Sequence, residues 1–234
     1  DALKSPPVDG VSLQAFDSVV SDLSGGAEAW DPELGVRDPF GRFRYGVASK
    51  GKGEWPFIQH MLACMRPDHG LAIAVVDQAA LLRAGKDAEI RRGIIQANLL
   101  DAVIYLPPKL YRSDVRPLAI LVFKSSRQSL SVLLVDGSKL YTSEKSLNTL
   151  TQAGIRQIQE QYSRREPVDG TAVLLSIAEL ESNGFALNLG RYFSARADEG
   201  LHDLDALSRE HEHIKRELWD VGAQIDELLG RLAG

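Results

Sequence analysis

The order of apolar and polar positions divides the chain into alternating strand-sized and helix-sized segments. Residues 15–21 (AFDSVVS) form a short apolar run cut off by a polar, Gly-rich break, which predicts a buried strand. The long stretch between Gly26 and Trp55 shows no sustained period. It exceeds the usual connection in a compact domain, so it is expected to be functional or unstructured. From Trp55 to Met65, apolar side chains fall at Phe57, Ile58, Met61, Leu62 and Met65, the spacing of a helix face, and Pro56 suits the first turn. After the turn Pro67-Asp68-His69-Gly70, residues 71–76 (LAIAVV) are almost continuously apolar, as in a parallel strand covered on both faces.

Residues 87–100 predict a second helix with Ile90, Ile94, Ile95 and Leu99 on one side. Further strands are predicted at 102–106 (AVIYL), stopped by Pro107-Pro108, at 118–123 (LAILVF) and at 131–136 (SVLLVD). Residues 146–165 predict an exposed helix with a thin apolar stripe, 172–177 a small strand, and 182–193 a loop broken by Asn183, Gly184 and Asn188. Strands alternating with helices, then two strands close together, predict an α/β fold: a doubly wound, Rossmann-like sheet whose last part turns antiparallel. The order matches the second half of such a domain. No Gly-rich turn joins an early strand to a helix, and that turn is what cradles a dinucleotide or an adenosine cofactor. We therefore expect an α/β domain over 1–140, a helical and loop extension over 141–200, and a separate helix over 201–234.

That last helix carries a regular seam. Leu204, Leu207, His211, Ile214, Leu218, Val221, Ile225, Leu228 and Leu232 alternate in steps of three and four, which predicts a coiled-coil tail facing a partner helix. The competing reading is a long helix folded back on its own domain.

Composition narrows the classes. The chain is 44% hydrophobic and 25% charged over 234 residues, ordinary for a globular protein, and no apolar run approaches membrane-spanning length. No membrane role is expected. The amino terminus has no signal-peptide pattern and no initiator Met, so the chain is expected to start inside a longer protein or after processing. Its single cysteine, Cys64, rules out an internal disulfide and a Cys-based zinc site, and a cytoplasmic location is the simplest expectation. A net charge of −5 weighs against nucleic-acid binding by bulk electrostatics. One basic segment stands out, with Arg42, Arg44, Tyr45, Lys50 and Lys52 among further aromatics. It is either a DNA contact, pairing phosphates and stacking bases, or a surface loop pinned by its aromatics. On residue types alone the second is favoured.

Other chemistry is sparse. His211 and His213, two apart on a helix, cannot share a ligand, so no metal site is expected. Cys64 reads as a small buried hydrophobe, and Glu89 with Arg91 and Arg92 as a solvated helix face.

Several pieces in a fixed order carry a family resemblance. They are Phe16-Asp17-Ser18-Val19-Val20-Ser21-Asp22; Arg42-Phe43-Arg44-Tyr45-Gly46 with Lys50-Gly51-Lys52; Trp55-Pro56-Phe57-Ile58-Gln59-His60-Met61-Leu62; Arg66-Pro67-Asp68-His69-Gly70-Leu71-Ala72-Ile73; Leu99-Leu100-Asp101-Ala102-Val103 running to Leu106-Pro107-Pro108; Leu118 to Phe123; and Asn188-Leu189-Gly190-Arg191-Tyr192. Together they resemble the modification subunit of type I restriction-modification systems, the N6-adenine DNA methyltransferases. The resemblance implies a methyltransferase-like fold, S-adenosylmethionine as the cofactor of the complete domain, and a carboxyl-terminal helix that docks on a specificity subunit.

It also locates a departure. Where the family carries Asn-Pro-Pro-Tyr or Asn-Pro-Pro-Phe, whose Asn and proline carbonyl accept the target amino group while the ring stacks on the flipped base, this chain reads Asp22-Leu23-Ser24-Gly25. Asp22 still offers an acceptor. Without the prolines the carbonyl is expected to lose its rigid support, and Gly25 brings no ring. The family's Pro-Asp-Gly is Asp77-Gln78-Ala79 here, and its Gly-rich turn is Ser113-Asp114-Val115-Arg116. The leading expectation is a methyltransferase-type subunit of a DNA-modification assembly, with weakened or lost catalysis and no cofactor site in this chain. Alternatives are an active adenine methyltransferase that uses Asp22 and a loop aromatic, completed by an amino-terminal cofactor half, or a scaffold that does not touch DNA and acts through the coiled coil. The partner is then a specificity-type subunit or a second copy.

Overall fold

A computed structural model describes residues 1–25, 30–51, 53–111, 115–144, 147–197 and Lys215. The chain divides into two units, Asp1–Phe193 and Ser194–Gly234, and the first carries every strand and helix below except the last turn of the final helix. The seam from Leu204 to Leu232, together with Lys52, lies outside the described residues.

The elements follow as β1 (Val8–Asp9), β2 (Ser12–Leu13), β3 (Ser18–Asp22), α1 (Pro32–Val36), α2 (Glu54–Ala63), β4 (Leu71–Asp77), α3 (Lys86–Gln96), β5 (Leu100–Tyr105), β6 (Leu118–Lys124), β7 (Val132–Asp136), β8 (Tyr141–Glu144), β9 (Leu147–Leu150), α4 (Gln152–Arg164), β10 (Ala172–Leu175), α5 (Ile177–Ser182) and α6 (Leu189–Ala197). A six-stranded mixed sheet has the order β10-β7-β5-β6-β4-β3. β3 runs parallel to β4 and β5 parallel to β7, whereas β6 is antiparallel to both β4 and β5. Antiparallel pairing therefore enters the middle of the sheet as well as its β10 edge. β5 and β6 are joined without a described helix, and a parallel return would need a helical crossover.

β4 consequently has one parallel and one antiparallel neighbour. Ala72, Ala74 and Val76 are buried, while Leu71, Ile73 and Val75 are only half-buried, so its second face is less covered than its apolar run predicts. β5 is buried at every residue and forms the centre. On one face α2 and α3 supply Ile58, Met61, Ile90 and Ile94; on the other, Ile158 and Tyr162 of α4 lie over Ala102, Ile104 and Leu133.

Three segments depart from their local pattern. The strand expected to be buried at 15–21 is β3, an edge strand whose residues alternate between exposed and half-buried, because nothing among the described residues pairs with its outer side. Residues 147–150 form β9 rather than helix, paired in register with β8. The helix starts only after Thr151, whose hydroxyl accepts from the Gly154 N–H. A Cβ on Gly154 would stand 2.7 Å from Leu140 Cβ and 2.9 Å from its carbonyl oxygen, so the β8 entry packs on this helix only because residue 154 has no side chain. The stretch at 182–193 is also not all loop. Asn183 caps α5, Gly184 and Phe185 turn the chain at φ 61 and 55, and α6 begins at Leu189.

Candidate functional site

β3 and β4 are parallel, and β4 and β5 are each antiparallel to β6, so the carboxyl ends of β3, β4 and β5 meet at one edge. In open α/β sheets this is the edge at which ligands bind. Asp22 is the last residue of β3. Its carboxylate accepts from the Ser24 N–H at 2.9 Å on one oxygen and from the Tyr111 hydroxyl at 2.7 Å on the other. Partial burial works against the charge, but the Ser24 and Tyr111 hydrogen bonds outweigh it and hold the carboxyl below the usual carboxylate value. Tyr111 is pushed the other way, chiefly by the bond it donates to Asp22.

The expectation that Leu23 and Ser24 leave this turn without support is corrected. Both are buried, at 8% and 6% exposure. The Leu23 N–H donates to the Val75 carbonyl at 2.8 Å. The Ser24 carbonyl accepts from Arg116 Nη2 at 3.0 Å, while Arg116 Nη1 reaches Asp77 at 2.9 Å. Asp77 in turn accepts from the Ala79 N–H at 2.8 Å and starts a 3-10 turn, Gln78–Leu81. Hydrogen bonds thus do the work that a fixed proline φ would do.

Gly25 is exposed and faces open space. Trp30 offers no ring to it, because its indole is 2% exposed, packs against Phe43 at 5.0 Å and donates to the Ala48 carbonyl. The aromatic beside Asp22 is Tyr111, 42% exposed. Sequence reasoning missed it. The available signal was its place just after Pro107-Pro108, which end β5 at the same edge. Asn148 of β9 anchors that connection, with its side chain donating to the Pro108 carbonyl and its backbone N–H to that of Lys109, both at 2.8 Å.

The basic, aromatic segment is not one surface. Arg42 is 4% exposed; it pairs with Asp38 at 2.7 Å, donates to the Leu3 carbonyl at 2.9 Å and contacts His60 Nδ1 at 3.3 Å. Its burial removes it from the proposed DNA contacts. Arg44 lies over the Tyr45 ring at 5.0 Å, and Tyr45 leans on Gly93 of α3. Both line a cavity of about 650 Å³ with Ala15, Met65, Leu99 and Ser125, which belong to the opposite end of the sheet from Asp22. Lys50 is exposed and precedes the amino end of α2, where the Trp55 indole donates to the Ala80 carbonyl beyond β4.

Other candidates resolve structurally. Arg91 is fully buried rather than part of a solvated face, donating to the carbonyls of Phe185, Arg83 and Ala80. Burial pushes the Cys64 thiol up, away from a nucleophile's range. His60 is lowered to about 4 by burial and by the Arg42 charge. Among the described residues no group of His, Cys, Asp or Glu is arranged to hold a metal, and no helix is long and apolar enough to cross a membrane.

A family model described as N-6 DNA Methylase matches residues 1–200. The chain is 26% identical over 197 residues to the type I restriction enzyme MjaVII methylase subunit of Methanocaldococcus jannaschii, covering 82% of this chain and 33% of that protein. It is 26% identical over 221 residues to the HindI methylase subunit of Haemophilus influenzae, covering 88% and 48%. Its fold resembles the crystal structure of a type I restriction-modification methyltransferase subunit from Streptococcus thermophilus, with TM-score 0.72 and 27% identity over 82% of this chain and 40% of that one. The chain spans from a third to about half the length of these curated relatives.

Proposed function

The chain belongs to the N-6 DNA methylase family, and from that membership we propose that it is the target-facing part of a methylase-type subunit in a DNA-modification assembly. One observation carries the placement: Asp22, which the resemblance sets at the family's target-binding acceptor, ends β3 at the joint carboxyl edge of β3, β4 and β5. The sheet corresponds to the second half of a larger one. In support, β3 is an edge strand whose Val20 is 70% exposed, leaving a row of backbone groups for a further strand.

In this reading the edge faces the target base and leaves S-adenosylmethionine to the rest of the subunit. The carboxylates that end β3 and β4 are both bonded within the chain, Asp22 to Ser24 and Tyr111, Asp77 to Arg116 and Ala79. We place the cofactor half in the length that the relatives have and this chain does not span. DNA is the substrate of the assembly, and a specificity-type subunit or a second copy is the partner, reached through the carboxyl-terminal seam.

Catalysis is weakened in this reading because both Asp22 oxygens already have donors and Gly25 brings no ring. A second reading, an active enzyme, is favoured by the exposed Tyr111 ring at the same spot, which is able to stack on a base where Gly25 cannot. Methyl transfer from S-adenosylmethionine to adenine in DNA by the assembled complex separates the two. With weakened catalysis the wild type is slow and Tyr111→Phe, which frees an Asp22 oxygen, raises the rate. With Tyr111 as the working ring, the wild type is fast, Tyr111→Phe is near neutral and Tyr111→Ala abolishes transfer. Efficient transfer by a complex whose Asp22→Ala variant is equally active would exclude this edge altogether.

A further inference from the structure

Three segments at which the sequence departs from the motifs it resembles, 22–25, 77–79 and 113–116, meet at one side chain. Arg116 bridges the turn leaving β3 and the end of β4, with Nη2 on the Ser24 carbonyl at 3.0 Å and Nη1 on Asp77 at 2.9 Å. From Ser24 the connection continues to Asp22 through the 2.9 Å bond of the Ser24 N–H, and from Asp22 to Tyr111 at 2.7 Å. Asp77 is likewise fixed, because its other oxygen caps the 3-10 turn at Ala79. A planar guanidinium is suited to this span: two donors diverge in fixed geometry toward acceptors on neighbouring strands, whereas an ammonium is a single point donor.

We propose that Arg116 is the positioning residue of the Asp22 edge, fixing the Leu23–Ser24 backbone and through it the orientation of the Asp22 carboxylate. The changes at 22–25, at Asp77 and at Arg116 are then one coupled arrangement rather than independent losses. Ser24 is buried and the two peptide units that flank it are both held, the Leu23–Ser24 unit by its N–H on Asp22 and the Ser24–Gly25 unit by its carbonyl on Arg116. Release of the carbonyl frees the Ser24–Gly25 unit to turn about the Ser24 Cα, and the Ser24 backbone that positions the N–H on Asp22 loosens with it. The Asp22 carboxylate then loses its backbone donor and keeps only the side-chain bonds from Ser24 and Tyr111. The Arg116 side chain is 47% exposed, so its replacement removes the bridge without opening the core.

This proposal deepens the reading of the Asp22 edge, but its test needs neither DNA nor cofactor, so each can fail without the other. The carboxyl carbon of Asp22 is titrated by NMR in the 234-residue chain, alongside hydrogen exchange of the Ser24 amide. Wild type, Arg116→Met and Arg116→Lys are compared, with thermal unfolding as the check on folding. In wild type the Asp22 midpoint lies below the ordinary 3.8. In both variants it is expected to rise above the wild-type value, with faster Ser24 exchange, because lysine keeps the charge but not the two-point bridge. A midpoint that stays at the wild-type value in Arg116→Met overturns the proposal. So does a rise in Arg116→Met that Arg116→Lys fully reverses, since the side chain would then act through its charge alone.

Discussion

Arg91→Met tests whether the buried arginine holds α3 to the rest of the domain. Its side chain is 1% exposed, and burial lowers it to about 10, which still leaves it charged at neutral pH. Arg91 Nε donates to the Phe185 carbonyl at 2.6 Å, and Nη1 to the carbonyls of Arg83 at 3.2 Å and Ala80 at 3.4 Å. The Ala80 carbonyl keeps a donor in the variant, the Trp55 indole at 3.2 Å. The Phe185 and Arg83 carbonyls lose theirs. A hydrogen bond to a charged group contributes about 1.5–3 kcal/mol, and an orphaned buried acceptor costs about 1–3 kcal/mol. Methionine recovers part of this through apolar burial, leaving a net loss of about 3–5 kcal/mol, as for other broken buried networks. With a urea m-value of about 2 kcal/mol/M, the midpoint falls by about 2 M while m itself stays unchanged. Arg92→Met, one residue on and exposed, is the control and should change stability by less than about 0.5 kcal/mol. A loss below about 1 kcal/mol for Arg91→Met, or equal losses for both, would refute this account of the buried network.

Histidine 60 gives the acid limb a signature. Its folded value of about 4 lies under the ordinary 6.5, so the unfolded chain takes up a proton first and stability falls as pH drops from 6.5 toward 4. His60→Gln, which keeps an acceptor for Arg42 without titrating, should flatten urea midpoints over that window; an unchanged slope would count against it. Gly70→Ala places a Cβ 2.5 Å from the Arg66 carbonyl oxygen and 2.8 Å from its nitrogen, both backbone. A loss of about 1–3 kcal/mol in thermal unfolding is expected, and a neutral result would show that the turn yields. For the tail, the heptad spacing predicts that Leu218→Asp or Ile225→Asp abolishes partner association in light scattering while core unfolding is unchanged. Protonation of His211 in the seam should weaken association as pH falls through about 6.5. Asp variants that unfold the α/β core would instead mean that the helix packs on its own domain.

The strands were legible in the sequence because runs such as 102–106 and 118–123 are too apolar for anything but a buried layer, and 71–76 for at least one buried face. The same holds for the helix faces of Ile58 and Met61, and of Ile90 and Ile94, whose period is a local property. Asp22 was singled out as a candidate acceptor from the order of motifs around it, and its place at the end of β3 came from the fold. Strand order was not, since β6 enters between β4 and β5 by a pairing that no local period records. Nor was the burial of Arg42 and Arg91. Local amphipathicity places a charge outside, and what brings these two inside is carbonyl groups distant along the chain, those of Leu3 and Phe185. Tyr111 belongs to the same class, because only the common direction of β3 and β5 sets its hydroxyl against Asp22. Periodicity reports which face a residue prefers. Which partner waits on that face is a long-range fact, and it decided both the arginines that hold the fold and the bonds that hold the site.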